Sequence, residues 1–165
     1  MDTTLSRRSI LDIAAGLALL LIPFATAAVK FVETGWLILI YGFALLLFIP
    51  LYVLVIVIAW TGFFSRQPAF AFAGAGRWRA RVAAWLHPVS FLVATAFLQD
   101  GGDTGPWNSP IGVVLGLDAE APVVSTLGAI AGLFVLVSAG SLVWLFVEWR
   151  RALAARTQAL TLLTT

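Results

Sequence analysis

From Trp36 to Trp60 the chain runs for 25 residues without a charged side chain. A membrane-spanning helix needs about 20 mostly apolar residues, because roughly 30 Å of hydrocarbon is crossed at about 1.5 Å per residue. Three further stretches meet the same demand, and the spacing predicts spans over 10–29, 36–60, 82–98 and 125–149. Strands fit poorly, since these runs lack polar alternation and four strands cannot close a barrel without edges. Composition agrees: a soluble domain carries roughly 25% charged residues, whereas only 11% of these 165 residues are charged and 61% are hydrophobic. The expected fold is therefore all-α, a four-transmembrane-helix bundle forming one domain over residues 1–165.

Charge outside the runs gives the expected threading. Arg7 and Arg8 precede the first run, Arg66, Arg77, Arg79 and Arg81 lie between the second and third, and Arg150, Arg151 and Arg156 follow the fourth. Lys30 stands alone on the other side with Glu33, Asp100, Asp103, Asp118 and Glu120. Arginine-rich connections stay on the cytoplasmic side. The chain is thus expected in the cell membrane with both termini cytoplasmic and a longer extracytoplasmic loop, 99–124, between the third and fourth helices. Arg7-Arg8 ahead of an apolar run resembles a twin-arginine export signal, yet with three more spans following it reads as an orientation determinant on an uncleaved first helix.

Between the second and third runs, Phe63, Phe64, Phe70, Phe72 and Trp78 interleave with arginines. Rings and snorkelling arginines are what a headgroup layer selects, which argues against nucleic-acid binding. Arg77, Trp78, Arg79, Arg81, Trp85, Trp149, Arg150 and Arg151 are the expected membrane-surface anchors, with Trp78, Val82 and Trp85 on one stripe of a short interfacial helix. In the outer loop, Asp100-Gly101-Gly102-Asp103 lacks the ligand spacing of an EF-hand and reads as a turn rather than a metal site. The apolar run Ile111–Leu117 is too short to span and is expected at the interface or folded back over the bundle.

Few residues offer chemistry. With no cysteine and one histidine, a thiolate site, a disulfide and a multi-histidine metal site within one chain are excluded. His87, followed by Pro88, is the candidate cofactor-binding residue, although which cofactor is not indicated. Asp12 and Glu148 sit at span edges, with Arg8 and Arg151 as expected same-face partners. No charged residue falls in the middle of a span, which counts against proton-coupled transport, and neither a catalytic residue nor a metal ligand set is expected. Gly128 and Gly132 form a GxxxG element that Ala139 extends, an expected helix-packing interface. Together these features favour a noncatalytic accessory, scaffold or assembly subunit whose partners are the lipid bilayer and another integral membrane protein or a second copy. The alternatives are a small homo-oligomeric channel or transporter, and a cofactor- or lipid-binding membrane module using His87.

Overall fold

The computed structural model describes residues 9–32, 35–101 and 107–162, apart from the side chains of Leu37, Ile38, Tyr41, Ala44, Leu45 and Leu47. Among these residues the chain is all-α, with five α-helices: α1 (Ile10–Lys30), α2 (Trp36–Ala59), α3 (Gly76–Phe97), α4 (Pro110–Val114) and α5 (Pro122–Leu162). By length and composition α1, α3 and α5 can each cross a membrane, which marks a multi-pass membrane protein. α2 is a fourth long apolar helix, and a π-helical turn, Trp60–Phe64, prolongs it. The expected signal-like arginines Arg7 and Arg8, and Asp103 of the outer loop, lie outside the described residues.

α3 is central and packs against α1 on one side and α5 on the other. Its buried positions are nearly all small: Gly76, Ala80, Ala83, Ala84, Ser90, Ala94 and Thr95, with Pro88. Small side chains let helix backbones approach, which supplies dispersion contacts where lipid offers no hydrophobic gain. On α5, Val124, Ala131, Ser138, Leu145 and Ala152 are buried at seven-residue intervals. That repeat holds one seam against a neighbour along a slightly supercoiled path.

α2 is seated differently. Its buried residues Val55, Ile58 and Ala59 lie in its last turns, where Tyr52 Oη donates to the Leu20 carbonyl at 2.8 Å and meets Phe24 edge-on at 6.0 Å. Further up, Phe43 and Leu46 are 85% and 83% exposed.

Two segments differ from the sequence-based expectation. The arginine-rich stretch is no separate interfacial helix, because α3 runs unbroken from Gly76. α5 continues 13 residues past the predicted end of the fourth span, to Leu162. At about 1.5 Å per residue its 41 residues extend about 60 Å, twice a hydrocarbon core. The aromatics before α3 also depart from a headgroup role: Phe63 and Phe70 are fully buried and pack at 4.7 Å in the core with Ala69 and Ala152. A short 3-10 turn, Ala69–Phe72, carries Phe70 back under α5, and Trp149 Nε1 on α5 donates to Thr61 Oγ1 at 2.8 Å.

Candidate functional site

The polar groups gather in three layers: one at each end of the bundle and one a short way in. At the arginine end, α3 opens with Arg77, Arg79 and Arg81. Three cations near a helix N-terminus oppose the positive end of the helix dipole, and carboxylates from both neighbouring helices offset them. Asp12 of α1 pairs with Arg77, whose Nε lies 3.2 Å from Oδ2, and with Arg81, whose Nε lies 2.7 Å from Oδ1. Asp12 also closes the capping box of α1, accepting the Ser9 backbone N–H at 3.2 Å. Its expected partner Arg8 lies outside the described residues; the bonds that hold it come from α3, 65 and 69 residues away.

Glu148 of α5 is buried and meets Arg151 at 3.4 Å, the i+3 pairing expected from sequence, and Arg79 at 3.4 Å besides. Trp144 Nε1 donates to the same oxygen at 3.4 Å. The first residue of α3 lies close by: a Cβ on Gly76 would stand 3.0 Å from Glu148 Oε2.

At the other end, Lys30 Nζ lies 2.6 Å from Asp100 Oδ2, with both side chains at most 3% exposed. The loop beyond α3 is built around this pair. Asp100 and Asn108 exchange backbone hydrogen bonds at 2.7 and 3.1 Å, and Trp36 N donates to the Gly101 carbonyl at 3.1 Å. Asn108 Nδ2 donates to the Leu117 carbonyl at 3.1 Å, and Ser109 Oγ caps α4 by accepting the Gly112 N–H at 3.1 Å. The Ile111–Leu117 run thus folds back, with α4 against the end of α3. Asp118 and Glu120 remain exposed.

His87 lies six residues beyond Arg81 on α3, about 9 Å deeper along the helix. Its Nδ1 is 3.0 Å from Ser138 Oγ and 3.1 Å from the Ser138 carbonyl, while Ser138 Oγ is 3.1 Å from the His87 carbonyl and Ser141 Oγ donates to the Ser138 carbonyl at 2.9 Å. The histidine is therefore a polar link between α3 and α5. Among the described residues no group of three or more His, Cys, Asp or Glu is placed to hold a metal ion.

The other sequence-nominated residues divide. Arg77 and Arg81 turn inward to Asp12, Trp149 is half-buried on Thr61, and Trp78, Arg79, Trp85, Arg150 and Arg151 are exposed. On α5, Gly128 abuts the Gln99 side chain, whereas Ala139 is exposed and nothing lies within 4 Å of a Cβ built on Gly132. Among the described residues none covers that part of the GxxxG face. Sequence reasoning did not find the Lys30–Asp100 pair or the Asp12–Arg77–Arg81 cluster, and the only signal for either was the isolation of Lys30 among acids. Compared with protein-family models, with curated proteins and with solved structures, the chain matches none.

Proposed function

We propose that the protein is a noncatalytic accessory or assembly subunit of a membrane complex. In this reading α1, α2, α3 and α5 cross the cell membrane, with both termini and the arginine end cytoplasmic. The arginine-rich end supports that orientation, since basic connections resist translocation. The observation that carries the assembly role is the outward face of α5. Gly132 and Gly140 lie there, where a Cβ on either would meet none of the described residues within 4 Å, beside exposed Leu133, Leu136 and Val143. Glycine costs a helix about 1 kcal/mol relative to alanine, and contact with lipid returns nothing for it, whereas close approach of another helix does. Meanwhile Asp12, Asp100 and Glu148 each hold helices or loops of this chain together, a structural use of the buried carboxylates. The partner fitting this face is another integral membrane protein with an apolar helix.

Solubilising the full chain from its native membrane in mild detergent tests this. A different membrane protein should co-purify at fixed stoichiometry, and the variant Gly132→Leu/Gly140→Leu should lose it while keeping the melting temperature of the isolated chain. A clean monomer from native membranes, or a partner retained by the double variant, would contradict the proposal. Ion flux through the pure reconstituted protein would contradict it as well.

A further inference from the structure

α4 and the turn after it begin at the Lys30–Asp100 end of the bundle. Asn108, whose backbone pairs with that of Asp100, stands two residues before the first residue of α4. Two indoles mark the same level. Trp36 N donates to the Gly101 carbonyl, and the Trp107 ring lies so close to Gly101 that a Cβ there would stand 2.5 Å from Trp107 Cδ1. Both tryptophan side chains are exposed.

α4 is inside out for a helix in water. Its buried residues are Pro110 and Gly112, whereas Val113, Val114 and the adjoining Leu115 are exposed, Val114 at 68% and Leu115 at 62%. A surface helix of a soluble protein turns its apolar stripe inward instead. The turn is also closed on itself. Val113 N donates to the Ser109 carbonyl and Leu115 N to the Ile111 carbonyl, both at 3.0 Å. Gly116, at φ +65°, then ends the helix in a Schellman motif, its N–H donating to the Val113 carbonyl at 3.1 Å and that of Leu117 to the Gly112 carbonyl at 2.9 Å. A backbone that bonds its donors internally can enter an apolar medium, where no water is at hand to pair them. Beyond Leu117 the surface turns polar again, with Asp118 and Glu120 exposed.

We infer that this turn is an anchor in the lipid leaflet at the Lys30–Asp100 end, with Val113, Val114 and Leu115 just below the headgroups and Trp36 and Trp107 among them. Indoles favour the headgroup level, and an interfacial element sinks its apolar side into the acyl boundary while its polar part stays in water. A lipid surface takes all five side chains at one level. A protein partner would need a cavity shaped for the three branched ones. The inference rests on the membrane-spanning part of the proposed function and not on the subunit role.

The test places single cysteines by Val114→Cys, Glu120→Cys and, as a mid-span reference, Leu21→Cys in the otherwise cysteine-free full chain. Each variant carries a nitrobenzoxadiazole dye and sits alone in phosphatidylcholine nanodiscs. Lipids bearing a nitroxide near the headgroup or deep in the acyl chain report depth, and iodide reports water. The Val114→Cys dye should be quenched by the shallow nitroxide and spared by iodide, at a depth of about 5–10 Å below the headgroups. The Glu120→Cys dye should show the reverse. Iodide quenching at position 114 as strong as at 120 would overturn the anchor. So would shielding of position 114 from both iodide and nitroxide lipid, the pattern of a second copy seated on the turn. Deep-nitroxide quenching at position 21 beside either result would leave the spans standing and sink the anchor alone. No lipid quenching at position 21 would contradict the membrane-spanning reading, and the anchor with it.

Discussion

Lys30 and Asp100 show how much a single contact can fix in this chain. Removing one member of a buried ion pair leaves an uncompensated charge and typically costs about 3–5 kcal/mol, whereas replacing both is often nearly neutral. Lys30→Met should therefore lower the unfolding midpoint in detergent markedly, and Lys30→Met/Asp100→Asn should recover more than half of the loss. Additive losses would mean that the pair contributes no coupling. Asp12→Asn should cost about as much, because two arginines lose their shared carboxylate. His87 offers a contrast in magnitude. Hydrogen bonds between membrane helices average about 0.6 kcal/mol by double-mutant cycles, so Ser138→Ala, which removes the Oγ contacts to His87 Nδ1 and to its carbonyl, should cost only about 1 kcal/mol in the same unfolding assay. The ionic layers, more than the histidine link, hold the helices in register. From sequence, the Glu148–Arg151 pairing was legible because it is local in one helix. The Asp12 cluster was not, because its partners are brought together only when α3 docks on α1.

At the scale of elements, the long apolar helices were legible because an apolar run of that length has few other uses. The ends of α3 and α5 were not. Arginines at the start of α3 read as a separate interfacial helix when counted as free charges, yet Asp12 and Glu148 pair with them and one unbroken helix begins at Gly76. The seven-residue seam of α5 escaped notice for a related reason: Ala131, Ser138 and Ala152 are too small to stand out in a helix that is apolar all round. Small residues also set what the turn after α2 tolerates. A Cβ on Gly62 would stand 2.4 Å from Phe70, a ring buried against Phe63, whereas one on Gly16 would stand 2.6 Å from the tip of half-buried Phe64. Overpacking a filled core costs about 1–3 kcal/mol. Gly62→Ala should fall at the upper end of that range and Gly16→Ala at the lower, measured as shifts in thermal midpoint; the opposite order would mean that the Phe63–Phe70 stack is not rigid.

Across the whole molecule, the ionic layers supply a ruler. Asp12 and Lys30 lie 18 residues apart on α1, about 27 Å along the helix axis, close to the roughly 30 Å thickness of a hydrocarbon core. Each layer ties α3, or the loop that follows it, to α1, so both ends of the bundle are locked, and in the proposed threading those ends lie where water begins. From the arginine layer α5 runs on for 14 residues past Glu148, about 21 Å, a length that the hydrophobic pattern alone did not reveal because only its first part is lipid-like. The scarcity of charge pointed to a multi-pass membrane protein; the pairing of those charges tells how the bundle is held, and the face of α5 that no described residue covers is where the proposed partner would dock. All of this depends on the two layers lying at opposite membrane faces. Single cysteines placed at Val32, Ala75, Glu120 and Thr157 in the otherwise cysteine-free chain test that directly with a membrane-impermeant maleimide on sealed cells. Val32 and Glu120 should label from outside, and Ala75 and Thr157 only after permeabilisation; labelling of Ala75 and Glu120 from the same side would contradict the account.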